Sequence, residues 1–85
     1  MTILEEALRV LNARTGHYGS PGTNWKRTAK LWSALLGIEI QPHVVGLMNI
    51  LQKCSREMSR PKRDNMVDVA GYAHGVDLIH QGGTK

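Results

Sequence analysis

The sequence predicts an all-α domain, a compact bundle of four helices completed by self-association. Three observations carry that expectation. Apolar residues recur at three- and four-residue spacing in four segments, short Gly- or Pro-bearing breaks separate them, and strand-like alternation is confined to the brief IEI at 38–40. With 85 residues the chain holds one domain, 1–81, and Gly82-Gly83-Thr84-Lys85 form a flexible tail. A lone core is marginal near this size, and association with further copies adds buried apolar area.

The first helix opens with Thr2 and Glu5, spaced as a capping box in which hydroxyl and carboxylate satisfy each other's backbone amides. Leu4, Ala7, Leu8 and Leu11 follow on one face. Gly16 supplies a left-handed stop, so this helix runs from about residue 2 to 15. The segment HYGSPGTN at 17–24 has no period and reads as a loop. Thr23 or Asn24 then caps a second helix striped by Trp25, Thr28, Ala29, Trp32, Leu35 and Leu36, and closed by Gly37.

Pro42 suits a first helical turn, where its missing N–H costs nothing. Val44, Leu47, Met48, Leu51, Cys54 and Met58 mark the third helix, with Met48 and Met58 filling gaps between helices. SRPKR at 59–63 breaks it, and Pro61 starts a fourth helix carried by Met66, Val69, Ala70, Ala73, Val76 and Leu78 to about Ile79.

Composition narrows the function classes. Eleven Lys and Arg against seven Asp and Glu leave a formal charge of +4, a mild attraction for anions. A single cysteine, Cys54, rules out an internal disulfide framework and fits a reducing compartment. No apolar run approaches the ~20 residues that cross a bilayer. Glu5 and Glu6 stand where a secretory signal carries basic residues, so the expected location is cytoplasmic. His17, His43, His74 and His80 lack the spacing of a zinc site.

Chemistry concentrates in two places. Between the third and fourth helices, Asn49, Lys53 and Arg56 share one face, and Asp64, Asn65, Asp68 and Tyr72 share another. Folding the two antiparallel about Arg60 brings Arg56 level with Asp64 and Lys53 level with Asp68. Structurally these are two register-fixing salt bridges, each worth about 0–1 kcal/mol. Functionally, Lys53 and Arg56 neutralise phosphate, Asp64, Asn65 and Asp68 organise them or read ligand hydroxyls, and Asp64 with Asp68 could instead hold a divalent ion. The second place is Tyr18-Gly19-Ser20-Pro21 with Asn24 and Arg27. A glycine-bearing loop feeding a helix N-terminus offers free amides to an anion, Tyr18 stacks on a base, and Arg27 reaches phosphate. The alternative there is a structured turn whose aromatics cover the core.

Tyr18-Gly19-Ser20-Pro21, Asn24-Trp25, Leu31-Trp32-Ser33, Lys53, Arg56, Asp64-Asn65 and Asp68-Val69-Ala70-Gly71-Tyr72 together resemble a phage-encoded family of small helical proteins of unknown function. That family is remotely similar to the MazG-like all-helical nucleoside triphosphate pyrophosphohydrolases, in which an ExxE helix faces an ExxD helix and the carboxylates bind Mg²⁺. The resemblance implies a nucleotide-handling, commonly oligomeric bundle. Asp68 matches the final aspartate of ExxD, Asn65 stands in place of its glutamate, and Lys53 and Arg56 stand where acids are expected.

The expected function is accordingly that of a phage accessory protein in the cytoplasm of an infected host. It binds a phosphate-bearing nucleotide without turnover, and so sequesters a host nucleotide signal. Tyr18, Ser20, Asn24, Arg27, Lys53, Arg56, Asp64, Asn65, Asp68 and Tyr72 are its ligand-binding residues, with no catalytic residue, metal or cofactor. Two alternatives accompany it. One is a Mg²⁺-dependent pyrophosphohydrolase using Asp64, Asp68 and Glu57. The other is a DNA-associated or protein-interaction module, which a pI near 9.6 permits.

Overall fold

The computed structural model describes residues 1–82 and, within them, every side chain but that of Tyr18; Gly83–Lys85 of the expected tail lie outside the described residues. Four helices make the fold: α1 (Ile3–Tyr18), α2 (Pro21–Leu36), α3 (Pro42–Ser59) and α4 (Arg63–His80). No strand occurs among the described residues, and the IEI segment is an irregular connector.

Local chemistry explains where each helix begins and ends, and it moves three expected boundaries. The Thr2–Glu5 capping box forms as expected, the Thr2 N–H donating to Glu5 Oε1 at 2.8 Å and the Glu5 N–H to Thr2 Oγ1 at 3.1 Å. Gly16, however, lies inside α1. The stop is Gly19 at φ 86°, whose N–H donates to the Thr15 carbonyl. A mid-helix glycine costs only about 1 kcal/mol, which three further residues of helix outweigh.

Helix α2 likewise starts earlier than a Thr23 or Asn24 cap predicts. Ser20 is the N-cap, its hydroxyl accepting from the Thr23 N–H at 3.2 Å, and Pro21 occupies the first turn. At the other end Gly37 takes the left-handed conformation, φ 72°, open to glycine without strain. The Ser33 hydroxyl then accepts from the Ile40 N–H at 2.8 Å and pins the connector to α3. Helix α4 starts at Arg63 rather than Pro61. Lys62 is its N-cap without a side-chain bond of its own, and the Glu57 carboxylate accepts the Lys62 N–H at 3.1 Å.

Packing centres on Trp25. Its ring, with Ala29 and Val45, forms the buried cluster, flanked by Trp32, Ile40, Tyr72, Val76 and Ile79. Two helix-interior glycines admit it. A Cβ at Gly46 of α3 falls 2.5 Å from Trp25 Cζ3, and one at Gly75 of α4 falls 2.8 Å from Trp25 Cη2. Helices α3 and α4 form the broadest contact, α1 packs on α4, and α2 packs on both α3 and α4.

The glycine contact fixes which face of α3 turns inward, and it is not the expected one. Val45 and Gly46 are buried, whereas Leu47, Met48, Leu51, Cys54 and Met58 are exposed. Met48 and Met58 therefore fill no interhelical gap. In α2, Leu35 and Leu36 of the expected stripe also stay outside, as do Leu4 and Leu8 of α1. The radius of gyration is 13.0 Å, against about 12 Å for a compact domain of this length, as suits a bundle with uncovered faces.

Candidate functional site

The α3–α4 hairpin delivers half of the expected polar seam. Lys53 Nζ lies 2.7 Å from Asp68 Oδ2, with both side chains largely withdrawn from water. Arg56 and Asp64 form no ion pair with each other. At their level the Asn65 amide donates to Glu57 Oε1 at 3.0 Å and to the Arg60 carbonyl at 3.4 Å. Asn65 is buried, closes the hairpin turn with these bonds, and also lines the cleft that opens beside it. The Asn65 amide first, and the Lys62 N–H second, hold the Glu57 carboxyl below its ordinary range.

Asp68 has a second cation. Arg14 of α1 reaches it at 3.7 Å, donates to the Tyr72 hydroxyl at 3.3 Å, and sets its guanidinium carbon 5.9 Å from the Tyr72 ring centroid. Sequence reasoning missed Arg14. Its signal is the spacing Ala7, Leu11, Arg14, which places it on the face of α1 that meets α4.

Two clefts adjoin this cluster. One of about 370 Å³ is walled by Trp25 and Tyr72, whose centroids lie 6.3 Å apart, and edged by Arg14, Asn24 and Asn49. The amides of Asn24 and Asn49 each carry donors and an acceptor, the equipment for reading a heteroaromatic edge. The other, about 380 Å³, opens beside the hairpin turn and is lined by Lys53, Arg56, Arg60, Lys62, Asp64 and Asp68. Cations outnumber acids there, and Asp68 is already paired. Arg60 and Lys62 escaped the sequence reading because a turn was read only as a break. Arg14 and Tyr72 line the first cleft, Lys53 and Asp68 the second, so the Arg14–Asp68 pair links the two.

The loop residues are only partly gathered here. Asn24 edges the aromatic cleft. Ser20 is buried as the cap of α2, its Oγ also donating to Thr23 Oγ1 at 3.2 Å. Tyr18 ends α1, and its side chain lies outside the described ones. Arg27 lines a separate groove of about 470 Å³ on α2 with Thr23, Lys26 and Lys30. Among the described residues no group of three His, Cys, Asp or Glu side chains is arranged to hold a metal ion, so Asp64, Asp68 and Glu57 do not converge. Nor is any helix of these residues long and apolar enough to cross a membrane.

Comparison with known proteins places the chain in context. Residues 2–78 match the model of a family described as a domain of unknown function, DUF6378. The Gene 55 protein of Mycobacterium phage L5 is 41% identical over 76 residues, covering 86% of this chain and 49% of that protein. The Gene 55 protein of Mycobacterium phage D29 is 39% identical over 82 residues, covering 94% and 54%. The chain thus spans about half the length of these curated relatives. No solved structure matches it.

Proposed function

The chain belongs to this DUF6378 family and is similar to mycobacteriophage Gene 55 proteins, and on that footing we propose that it captures a phosphate-bearing nucleotide without turning it over. The observation that carries the reading is the state of Asp68. Lys53 at 2.7 Å and Arg14 at 3.7 Å already neutralise it. The acid best placed to bind a metal is thereby engaged, and Arg56, Arg60 and Lys62 remain around the same cleft for an anion. Arginine forks match phosphate oxygens in bidentate geometry.

The aromatic cleft complements that charge. A base lying against Tyr72 meets two asparagine amides, and its phosphates extend past the Arg14–Asp68 link toward the hairpin turn. In an infected cell such capture lowers the free concentration of the nucleotide, and the host cytoplasm is where it acts. The test is calorimetric titration with mono-, di-, triphosphate and cyclic nucleotides, followed by chromatographic recovery of the ligand. Saturable heat with intact ligand supports the proposal. No heat at high micromolar concentration sinks it.

A second reading rests on the α2 groove, where Lys26, Arg27 and Lys30 share one face. Duplex DNA held there by phosphate contacts loses affinity steeply with salt, because bound counterions are released. Salt-independent or absent duplex binding removes this reading.

A further inference from the structure

The outer face of α3 carries an apolar stripe along its length, broken by Ser55. Leu47, Met48, Leu51 and Met58 lie exposed on it with Cys54, Leu51 at 67% and Met58 at 88%, and half-buried Val44 begins it. The spacing of Val44, Leu47, Leu51, Cys54 and Met58 is a heptad seam, and it covers about 21 Å at 1.5 Å per residue. The charged residues of this stretch, Lys53, Arg56 and Glu57, belong to the α4 side, where they line the basic cleft or close the hairpin turn. A contiguous exposed apolar face of this kind marks a surface that a partner covers.

The pattern is also self-complementary. Leu51 sits midway between Val44 and Met58, and equally between Met48 and Cys54. An antiparallel second copy therefore sets Leu51 on its own equivalent, Val44 on Met58, Met48 on Cys54 and Leu47 on Ser55, each pair met twice about a two-fold axis. Charge favours the same orientation: Glu39 precedes α3 and Arg60 and Lys62 follow it, so antiparallel pairing brings acid to base at both ends. We infer that α3 of one chain packs antiparallel on α3 of a second copy, about a two-fold axis at Leu51.

Sedimentation of the 85-residue chain tests this. Wild type is expected at about twice 9.4 kDa, and Leu51→Arg at 9.4 kDa with unchanged helical circular dichroism. Should that variant unfold, Met58→Lys at the more exposed position serves instead. Mild oxidation reads the orientation. Leu51→Cys in a Cys54→Ser background is expected to give a disulfide-linked dimer, whereas native Cys54 is not, being set about 9 Å from its equivalent along the antiparallel axis. A wild type that stays at 9.4 kDa at high micromolar concentration overturns the inference and leaves the face to a different protein partner. A dimer unmoved by Leu51→Arg, or one cross-linked through Cys54, overturns it as well.

Discussion

Lys53 Nζ of α3 stands 2.7 Å from Asp68 Oδ2 of α4, and this ion pair ties the two longest helices together two turns from the hairpin. With Arg14 also on Asp68, one carboxylate answers to two cations from two other helices. The pair thus ties helix register, and with Asp68 neutralised Arg56, Arg60 and Lys62 outweigh Asp64 in the neighbouring cleft.

Breaking the pair one-sidedly is costly, because the remaining charge is left partly desolvated, its side chain 17% exposed for Lys53 or 13% for Asp68. Asp68→Ala is expected to lower unfolding stability by about 1–3 kcal/mol in urea titrations. The double variant Lys53→Met with Asp68→Leu regains much of that loss. Equal losses in single and double variants would show that the pair is not coupled.

The glycine bed of Trp25 makes opposite predictions for two alanines. Gly46→Ala drives a methyl to 2.5 Å from Trp25 Cζ3 and 2.7 Å from Val76 Cγ2, and is expected to cost about 1–3 kcal/mol or more by thermal melting. Gly16→Ala meets nothing within 4 Å inside α1 and is expected to gain about 0.5–1 kcal/mol. Loss at Gly16 or neutrality at Gly46 would contradict the packing described.

Acid sensitivity follows from the hairpin turn. The Asn65 amide and the Lys62 N–H depress the Glu57 carboxyl, so the folded state binds that proton less readily than the unfolded chain. The stability this supplies is fully present above the ordinary glutamate value of about 4.3 and fades as pH falls through the lowered folded value. Glu5, lowered by the Thr2 N–H and hydroxyl, acts in the same direction at the start of α1. Glu57→Gln is expected to flatten the acid limb of a stability-versus-pH curve, and an unchanged limb would contradict the role given to Glu57.

Site and scaffold separate by substitution. Arg56→Ala with Arg60→Ala removes two exposed cations from the cleft and is expected to weaken nucleotide binding tenfold or more, with stability changed by no more than about 0.5 kcal/mol. Asn65→Ala acts chiefly on the scaffold, removing the bonds that close the hairpin, and is expected to lower stability where the arginine pair does not. Calorimetry beside urea titration reads both.

The contrast between sequence and structure has local causes. Four helices were legible because Thr2, Pro42 and Gly37 carry their boundary signals within a few residues. Ser20 was passed over for Thr23 and Asn24 because all three are good caps; the proline directly after Ser20 decides between them. Lys53–Asp68 was legible from hairpin symmetry, whereas Arg56–Asp64 failed because Glu57 and Asn65 take that level to close the turn. The α3 face was misread because hydrophobicity favours Leu47, Leu51 and Met58, while the inward face is chosen by Gly46, which with Gly75 of α4 makes room for the Trp25 ring. Arg14 depends on how α1 lies against α4, which no spacing inside the hairpin encodes.

The most direct test of capture without turnover is to titrate the best-binding nucleotide in Mg²⁺ and again in chelator, assaying the recovered ligand each time. If Lys53 and Arg14 keep Asp68 occupied, affinity is equal in both buffers and every phosphate bond survives. Binding that collapses with chelator, or pyrophosphate released only with Mg²⁺, would mean that the acids serve a metal instead.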